Sequence, residues 1–371
     1  MVNQLPQGWK EVKLKDICVL INGRAFKQHE LLDSGKYKVL RVGNFFSNNK
    51  WYYSDLELDN DKYCDQGDLL FAWSASFGPK IWNDKKTIYH YHIWKVKVNE
   101  FVEKKFLYYL LLADSQKIKK SGHGVAMIHI TKMDMENRLY TIPTDKDEQD
   151  YIVKTLDAVA EMIKLRKETI QLTKDLIPAI FQEMFGDPIT NPKGWEMKTF
   201  REVLTIKNGK SQKDVENANG IYPIYGSAGE IMGYANDFIC NENSVIIGRK
   251  GNINSPKLIK TKFWNVDTAF GLEPNKGLNY NYLYVFCLLY DFERHNRAVV
   301  IPSLVKSDLL EIKIPFPVLS MQEEFSDRIE QINQNLEVQR KDLDRLQELF
   351  DQLLQKAFTG ELTRGEAYGI I

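Results

Sequence analysis

Apolar positions recur at alternating spacings of four and three in two stretches of the chain. In the first they fall at Ile152, Leu156, Val159, Ile163, Ile170, Ile177, Ile180 and Met184. In the second they fall at Phe325, Ile329, Ile332, Leu336, Leu343, Leu346, Phe350, Leu353 and Ala357. This spacing is the inward seam of a coiled coil. The two seams run at a constant offset of 173 residues, and each carries a polar residue at the same place, Arg166 and Gln339. Thr173 is a second weak position in the first seam. Each stretch stops at a glycine, in Phe185-Gly186-Asp187-Pro188 and in Thr359-Gly360-Glu361, as a left-handed helix cap requires. The pattern predicts two helices, each about 50 Å long. Pro178 removes one backbone hydrogen bond and predicts a local bend. Either helix could pack on its own domain, but two matched seams in one chain are natural partners for each other. If a two-fold axis relates them, they pair antiparallel.

The segments ahead of each helix have a different pattern. They are rich in Tyr, Trp, Phe, Val and Ile, with alternating runs such as His90-Tyr91-His92-Ile93-Trp94-Lys95-Val96-Lys97-Val98, which predict β-strands between Gly and Asn turns. One helix is predicted at Phe106–Lys119 and another, in the matching place, at Tyr280–Phe292. Each globular part is therefore α+β with a mixed or antiparallel sheet. Self-comparison supports two copies. Gly8-Trp9 matches Gly194-Trp195, and Ile21-Asn22-Gly23 matches Lys207-Asn208-Gly209, both at an offset of 186. Gly67-Asp68-Leu69-Leu70-Phe71 resembles Asn243-Ser244-Val245-Ile246-Ile247. Lys132-Met133-Asp134 matches Lys306-Ser307-Asp308, each leading into a short strand that ends in proline.

Composition narrows the class. With 371 residues, 43% hydrophobic and 12% aromatic, the chain can build two or three cores. Its 50 basic and 50 acidic residues balance, so any nucleic-acid binding must come from local clusters. No apolar run approaches the roughly 20 residues needed to span a bilayer, and the N-terminus lacks the apolar core of a signal peptide. Cys18, Cys64, Cys240 and Cys287 are far apart and form no CxxC pair, which argues against a disulfide framework or a zinc site. We expect a cytoplasmic, reduced, non-membrane protein.

Catalytic signatures are missing or weak. Gly209-Lys210-Ser211 resembles the end of a phosphate loop, but Leu204 stands where the loop needs glycine. The chain has no Asn/Asp-Pro-Pro-aromatic tetrapeptide of an adenine methyltransferase and no GxGxxG after a strand. Asp308 with Glu311-Ile312-Lys313 superficially resembles a nuclease triad, but a strand approaching Pro315 explains it better. His90 and His92 have no third ligand at metal spacing. We therefore expect no metal and no catalytic centre.

What remains are loops dense in Gly, Asn, Ser, Arg, Lys and aromatic residues, a mixture suited to base edges and phosphates. In the first copy the candidate DNA contacts are Arg41, Asn44, Trp73, Ser74, Ser76 and His123. In the second they are Ser227, Arg249, Lys250, Asn252, Asn254 and Arg297. Arg249 offers a planar fork to guanine or phosphate, and the adjacent glycines let backbone come close. Each loop alone could be an ordinary surface turn. Their recurrence at corresponding places favours function.

The ordered set of these features resembles the specificity subunit of type I restriction–modification systems over essentially the whole chain. The resemblance rests on Gly8-Trp9 and Gly194-Trp195, on Gly67-Asp68-Leu69-Leu70 with Trp73-Ser74-Ala75-Ser76, and on Tyr222-Pro223-Ile224-Tyr225-Gly226-Ser227. It continues through Ile247-Gly248-Arg249-Lys250-Gly251 and Val266-Asp267-Thr268-Ala269, and its strongest mark is the tandem helices ending in Phe185-Gly186-Asp187 and Phe358-Thr359-Gly360-Glu361-Leu362. One departure is that the first copy has no Arg-Lys-Gly, which supports Arg249 and Lys250 as contacts better than Ser74 or Ser76.

The resemblance implies an α+β protein with two pseudo-symmetric target-recognition domains separated by two long antiparallel coiled-coil helices. The domains would span 1–148 and 187–321, the first spacer helix 149–186, and the second spacer helix with a C-terminal tail 322–371. Each domain would read one half of a split site in double-stranded DNA. Two methyltransferase subunits would dock on the chain, motor-nuclease restriction subunits would join them, and S-adenosylmethionine would sit in the methyltransferase partner. The copies' loops diverge while their seams match, so the expected target is asymmetric. A protein-binding adaptor, favoured by the zero net charge, is the competing reading. The recognition subunit of a related type II system is another.

Overall fold

The computed structural model of the chain describes residues 5–74, 77–121 and 130–364. Two compact units divide it, Met1–Leu165 with Leu343–Ile371, and Arg166–Asp342. Each is α+β, and the two are copies of one fold.

In the first unit Trp9–Lys13 pairs antiparallel with Leu139–Pro143. A four-stranded antiparallel sheet has the order Cys18–Asn22, Ile93–Val98, Leu69–Ala72, Gly78–Ile81. A second sheet contains a parallel pair, Tyr37–Leu40 with Thr87–Tyr89. The second unit repeats this plan. Met197–Thr199 pairs with Lys313–Pro315, and the four-stranded sheet runs Leu204–Asn208, Ala269–Pro274, Ser244–Gly248, Lys257–Ile259. Its parallel pair is Tyr222–Tyr225 with Trp264–Asn265.

The register repeats as well as the order. Leu69 faces Val96 and Ala72 faces Ile93, just as Val245 faces Leu272 and Gly248 faces Ala269. Ahead of these strands Gly67 and Asn243 share a left-handed backbone, with φ of 87° and 59°, which glycine and asparagine tolerate best. The sequence match of these two segments is thus a match of backbone geometry.

A helix at Lys104–Ser121 in the first unit and one at Tyr280–Leu289 in the second cover the four-stranded sheets. The expected strand from His90 to Val98 is shorter than its alternation suggests. The strand starts at Ile93, and His90-Tyr91-His92 form the turn that joins the two sheets.

The long helices span Lys146–Phe185 and Leu319–Thr359, so each unit holds half of each. In the first unit Ile152 and Leu156 share a core with Leu354, Ala357 and Phe350. In the second, Phe181 and Phe185 share one with Phe325 and Ile329, flanked by Ile177 and Ile332. The start of one helix meets the end of the other both times, so they pair antiparallel. Every seam position is buried or half-buried, including Ile163, Ile170, Leu336, Leu343 and Leu346. Full burial of such an apolar side chain contributes about 1.5–3 kcal/mol, and the half-buried ones contribute less. The helix runs unbroken through Pro178. Gly186 and Gly360 take φ of 79° and 80° immediately beyond the helix ends, the conformation a glycine cap supplies at least cost.

The two polar seam residues do not oppose each other. Across the antiparallel pair Arg166 reaches Asp342 at 3.6 Å. Gln339 is buried, and its Nε2 donates to Thr173 Oγ1 at 3.1 Å. The residue that weakens the first seam is therefore the partner of the polar residue in the second.

Candidate nucleic-acid interface

In the second unit the strand Ser244–Gly248 delivers the basic loop. Gly248 cannot carry a side chain, because a Cβ there would lie 2.1 Å from the carbonyl oxygen of Asn252. Arg249 N–H donates to Thr268 O at 2.7 Å, and Leu304 N–H donates back to Arg249 O at 2.9 Å. Gly251 N–H donates to Pro302 O at 2.8 Å, and Lys250 bridges to Ser303. These bonds stitch the basic loop to segment 297–304. Arg249 is half-buried, its guanidinium 5.6 Å from the Phe270 ring centre, while Lys250 is exposed. Arg297 is exposed, with an ion pair to Asp308 at 2.7 Å. Between Arg297 and Ser303 the side chains of Val299, Val300 and Ile301 project into solvent.

Ser227 lies in a neighbouring cleft with Lys213, Glu230, Asp267 and Thr268, and Arg249 Nη1 donates weakly to Asp267 O at 3.4 Å. The structure thus gathers Ser227, Arg249, Lys250 and Arg297 on connected loops. The two asparagines are exposed and also bond within the loops. Asn254 donates from Nδ2 to Asp291 at 2.8 Å and accepts from Phe292 N–H at 2.7 Å. The Asn254 amide and the Glu293 N–H hold the Asp291 carboxyl below its ordinary range. Asn252 Oδ1 accepts from Ser255 Oγ at 2.9 Å.

The first unit departs from expectation at the equivalent place. Matching registers put Trp73-Ser74 where the second unit has Arg249-Lys250. Trp73 is 8% exposed, stacks on Trp94 at 5.6 Å, and donates its indole N–H to Tyr91 O at 2.9 Å. Ser74 is buried too. Both are core positions rather than the open loop positions their composition suggests, and the Trp73 indole N–H is committed to backbone. Ser76 and His123 lie outside the described residues.

Arg41 and Asn44 line a cleft with Lys50, Tyr52, His90 and His92. Arg41 is exposed, its guanidinium 5.4 Å from the Tyr52 ring centre. Asn44 Nδ2 donates to the carbonyls of Asn48 and Lys50 at 3.0 and 2.8 Å, holding the loop that presents Lys50. Burial, followed by the charges of His92 and Arg41, lowers the His90 pKa to about 4, so its imidazole is neutral at pH 7. Sequence reasoning passed over Lys50 and Tyr52 and weighed the two histidines only as metal ligands, because only the sheet topology brings segments 41–52 and 90–92 together. It also missed Gln149 and Gln322, which the offset of 173 could have found.

Among the described residues no group of three or more His, Cys, Asp or Glu could hold a metal ion. No helix among them is long and apolar enough to cross a membrane. The four cysteines are unpaired and buried, and burial pushes the Cys18 and Cys240 thiols up to about 12. They are not poised as nucleophiles.

Comparison with known proteins bears on this geometry. A structure of the type I restriction–modification S subunit from M. genitalium covers 96% of the chain and 97% of its own, with a TM-score of 0.56 at 19% identity. A chain from a structure of type I R-M complex assembly and conformational transition covers 97% and 100%, with a TM-score of 0.63 at 19% identity. At such identities these matches establish the fold. In sequence, the specificity subunit of the type I restriction enzyme EcoDI from Escherichia coli is 24% identical over 97% of the chain and 90% of its own length. That of MjaVIII from Methanocaldococcus jannaschii is 21% identical over 97% and 94%. The type I restriction modification DNA specificity domain matches twice, at residues 6–174 and 192–348. The chain belongs to the type I restriction–modification specificity subunit family.

Proposed function

We propose that this chain is the DNA-reading, non-catalytic subunit of a type I restriction–modification complex. Each of its two recognition domains, 1–148 and 187–321, would read one half of a split, asymmetric site. The observation that carries this is a repeated scaffold with unrepeated loops. In the four-stranded sheets strand order and register are the same in both units, yet Trp73-Ser74 stands in one where Arg249-Lys250 stands in the other. Two copies of one reader with different reading loops suit two different half-sites.

The long helices would serve as spacer and as dock. Leu172, Leu176 and Val338 in the second unit are exposed on the helix sides away from the seam, Leu172 by 68%. Exposed apolar side chains at helical spacing suit a partner helix. We assign that place to the methyltransferase subunits, two per chain, which would carry S-adenosylmethionine. Motor-nuclease subunits would join the same assembly in the cytoplasm.

The test is the adenine methylome of a methylation-free bacterial host expressing this chain with a cognate methyltransferase subunit. A split, asymmetric motif that vanishes without this chain is expected. No new methylation despite a soluble complex would overturn the reading in favour of a protein-binding adaptor, as would binding that is insensitive to salt.

A further inference from the structure

Each unit has a cleft where its parallel strand pair ends, and the two clefts occupy the same place in the fold. Tyr37–Leu40 and Thr87–Tyr89 run into Arg41 and His90, while Tyr222–Tyr225 and Trp264–Asn265 run into Gly226 and Val266. All four of those residues line the clefts. The backbone below is also shared, since Trp73 N–H donates to His92 O and Arg249 N–H donates to Thr268 O.

The charged linings, by contrast, differ in sign. Arg41, Lys50 and two histidines line the first cleft, and the described residues that line it include no carboxylate. The second holds Glu230 and Asp267 beside Lys213 and Ser227. The Glu230 carboxylate lies against Gly226, where a Cβ would come within 2.1 Å of Oε1.

A cleft kept for structural reasons should keep its lining, as the buried glutamines do. Gln149 accepts from Glu103 N–H and donates to Pro143 O. Gln322 accepts from Asn279 N–H and donates to Pro317 O in the matching arrangement. A place that recurs while its chemistry changes fits a position that selects between different ligands.

We propose that these paired clefts are the base-reading sites of the two half-sites. The first takes the edge of a guanine and the second takes a base with an exocyclic amine, cytosine or adenine. The Arg41 fork, held over the Tyr52 ring, matches the two acceptors of guanine, and the Glu230 carboxylate matches an amine donor. Asn44 is a positioning residue for Lys50. This assignment rests on the DNA-reading function proposed above.

The experiment uses the full chain in complex with its methyltransferase, with motifs read from the methylome. Arg41→Ala should relax one guanine position in one half-site by about tenfold or more and leave the other half-site unchanged. Glu230→Ala should relax a cytosine or adenine in the opposite half-site, the one that Arg249→Ala also affects. Arg41→Lys keeps the charge without the fork and should relax the same guanine, which guards against a folding defect in the alanine variant. If the wild-type complex writes no split motif, the function itself fails. If the motif is written but both variants leave every base preference intact, or lower methylation uniformly, the cleft assignment fails alone. The same holds if both variants alter one and the same half-site.

Discussion

The guanidinium of Arg249 rests 5.6 Å from the centre of the Phe270 ring, on the spot where Trp73 stacks on Trp94 in the other unit, also at 5.6 Å. One position of the fold therefore carries a cation over a ring in one copy and a buried indole in the other. The ring below steadies the Arg249 fork. The buried indole instead completes a core.

Arg249→Ala should accordingly weaken or relax recognition of only the half-site read by the second unit, by about 1–3 kcal/mol if it reads a base. Duplexes substituted in one half-site at a time, titrated at fixed salt, check this. Equal weakening on both half-sites would count against the assignment.

Trp73→Ala should act through stability. Removing a buried indole costs about 3–5 kcal/mol, so thermal unfolding should fall while base preference is retained at permissive temperature. A changed half-site without a lower melting temperature would return Trp73 to the surface role that its loop composition suggests.

Gln339 Oε1 is buried without a hydrogen-bond partner among the described residues, whereas Thr173 Oγ1 has a second bond, to Thr169 O at 2.8 Å. Gln339→Leu removes the unsatisfied atom and leaves Thr173 bonded. It should be neutral or stabilising by about 1 kcal/mol, at the cost of a polar contact that fixes helix register. A large fall in melting temperature would show that the amide is worth more than its buried oxygen costs.

His90 provides a pH signature. Its folded pKa, about 4, lies below the 6.5 of the free side chain. The unfolded chain therefore takes up this proton first as pH falls. The stability that the neutral imidazole contributes is complete above pH 6.5 and is lost between 6.5 and about 4. An NMR titration of the His90 ring should find the low midpoint, and His90→Gln should flatten the fall in melting temperature over that window. A midpoint near 6.5 would refute the buried environment.

Four residues inserted late in the first long helix should lengthen it by about 6 Å. With DNA rising about 3.4 Å per base pair, the gap between half-sites should grow by one or two base pairs while both half-sites stay unchanged. The methylome of the inserted variant reads both together, and altered half-sites would sink the spacer role.

Much of this architecture was legible in one dimension because its signals are periodic and local. The seams at Ile152 to Met184 and Phe325 to Ala357 repeat every seven residues, and a helix imposes that period on any side chains it buries. Gly186 and Gly360 mark the helix ends because few other residues take a left-handed backbone cheaply. The match between Gly67 and Asn243 survives for the same reason, and two copies of such signals at steady offsets disclose the duplication.

What tertiary structure alone decided was which residues meet. An antiparallel pairing sets Gln339 against Thr173 and not against Arg166, because contact follows the direction of the partner helix and not the repeat offset. Trp73 has the composition of a reading loop but lies in a core, since burial depends on Trp94 twenty-one residues away across a sheet. The first cleft joins Arg41 to His90 and His92 only because two distant strands run parallel. Periodicity tells each residue which way to face, and only the packed sheets and helices determine what it faces.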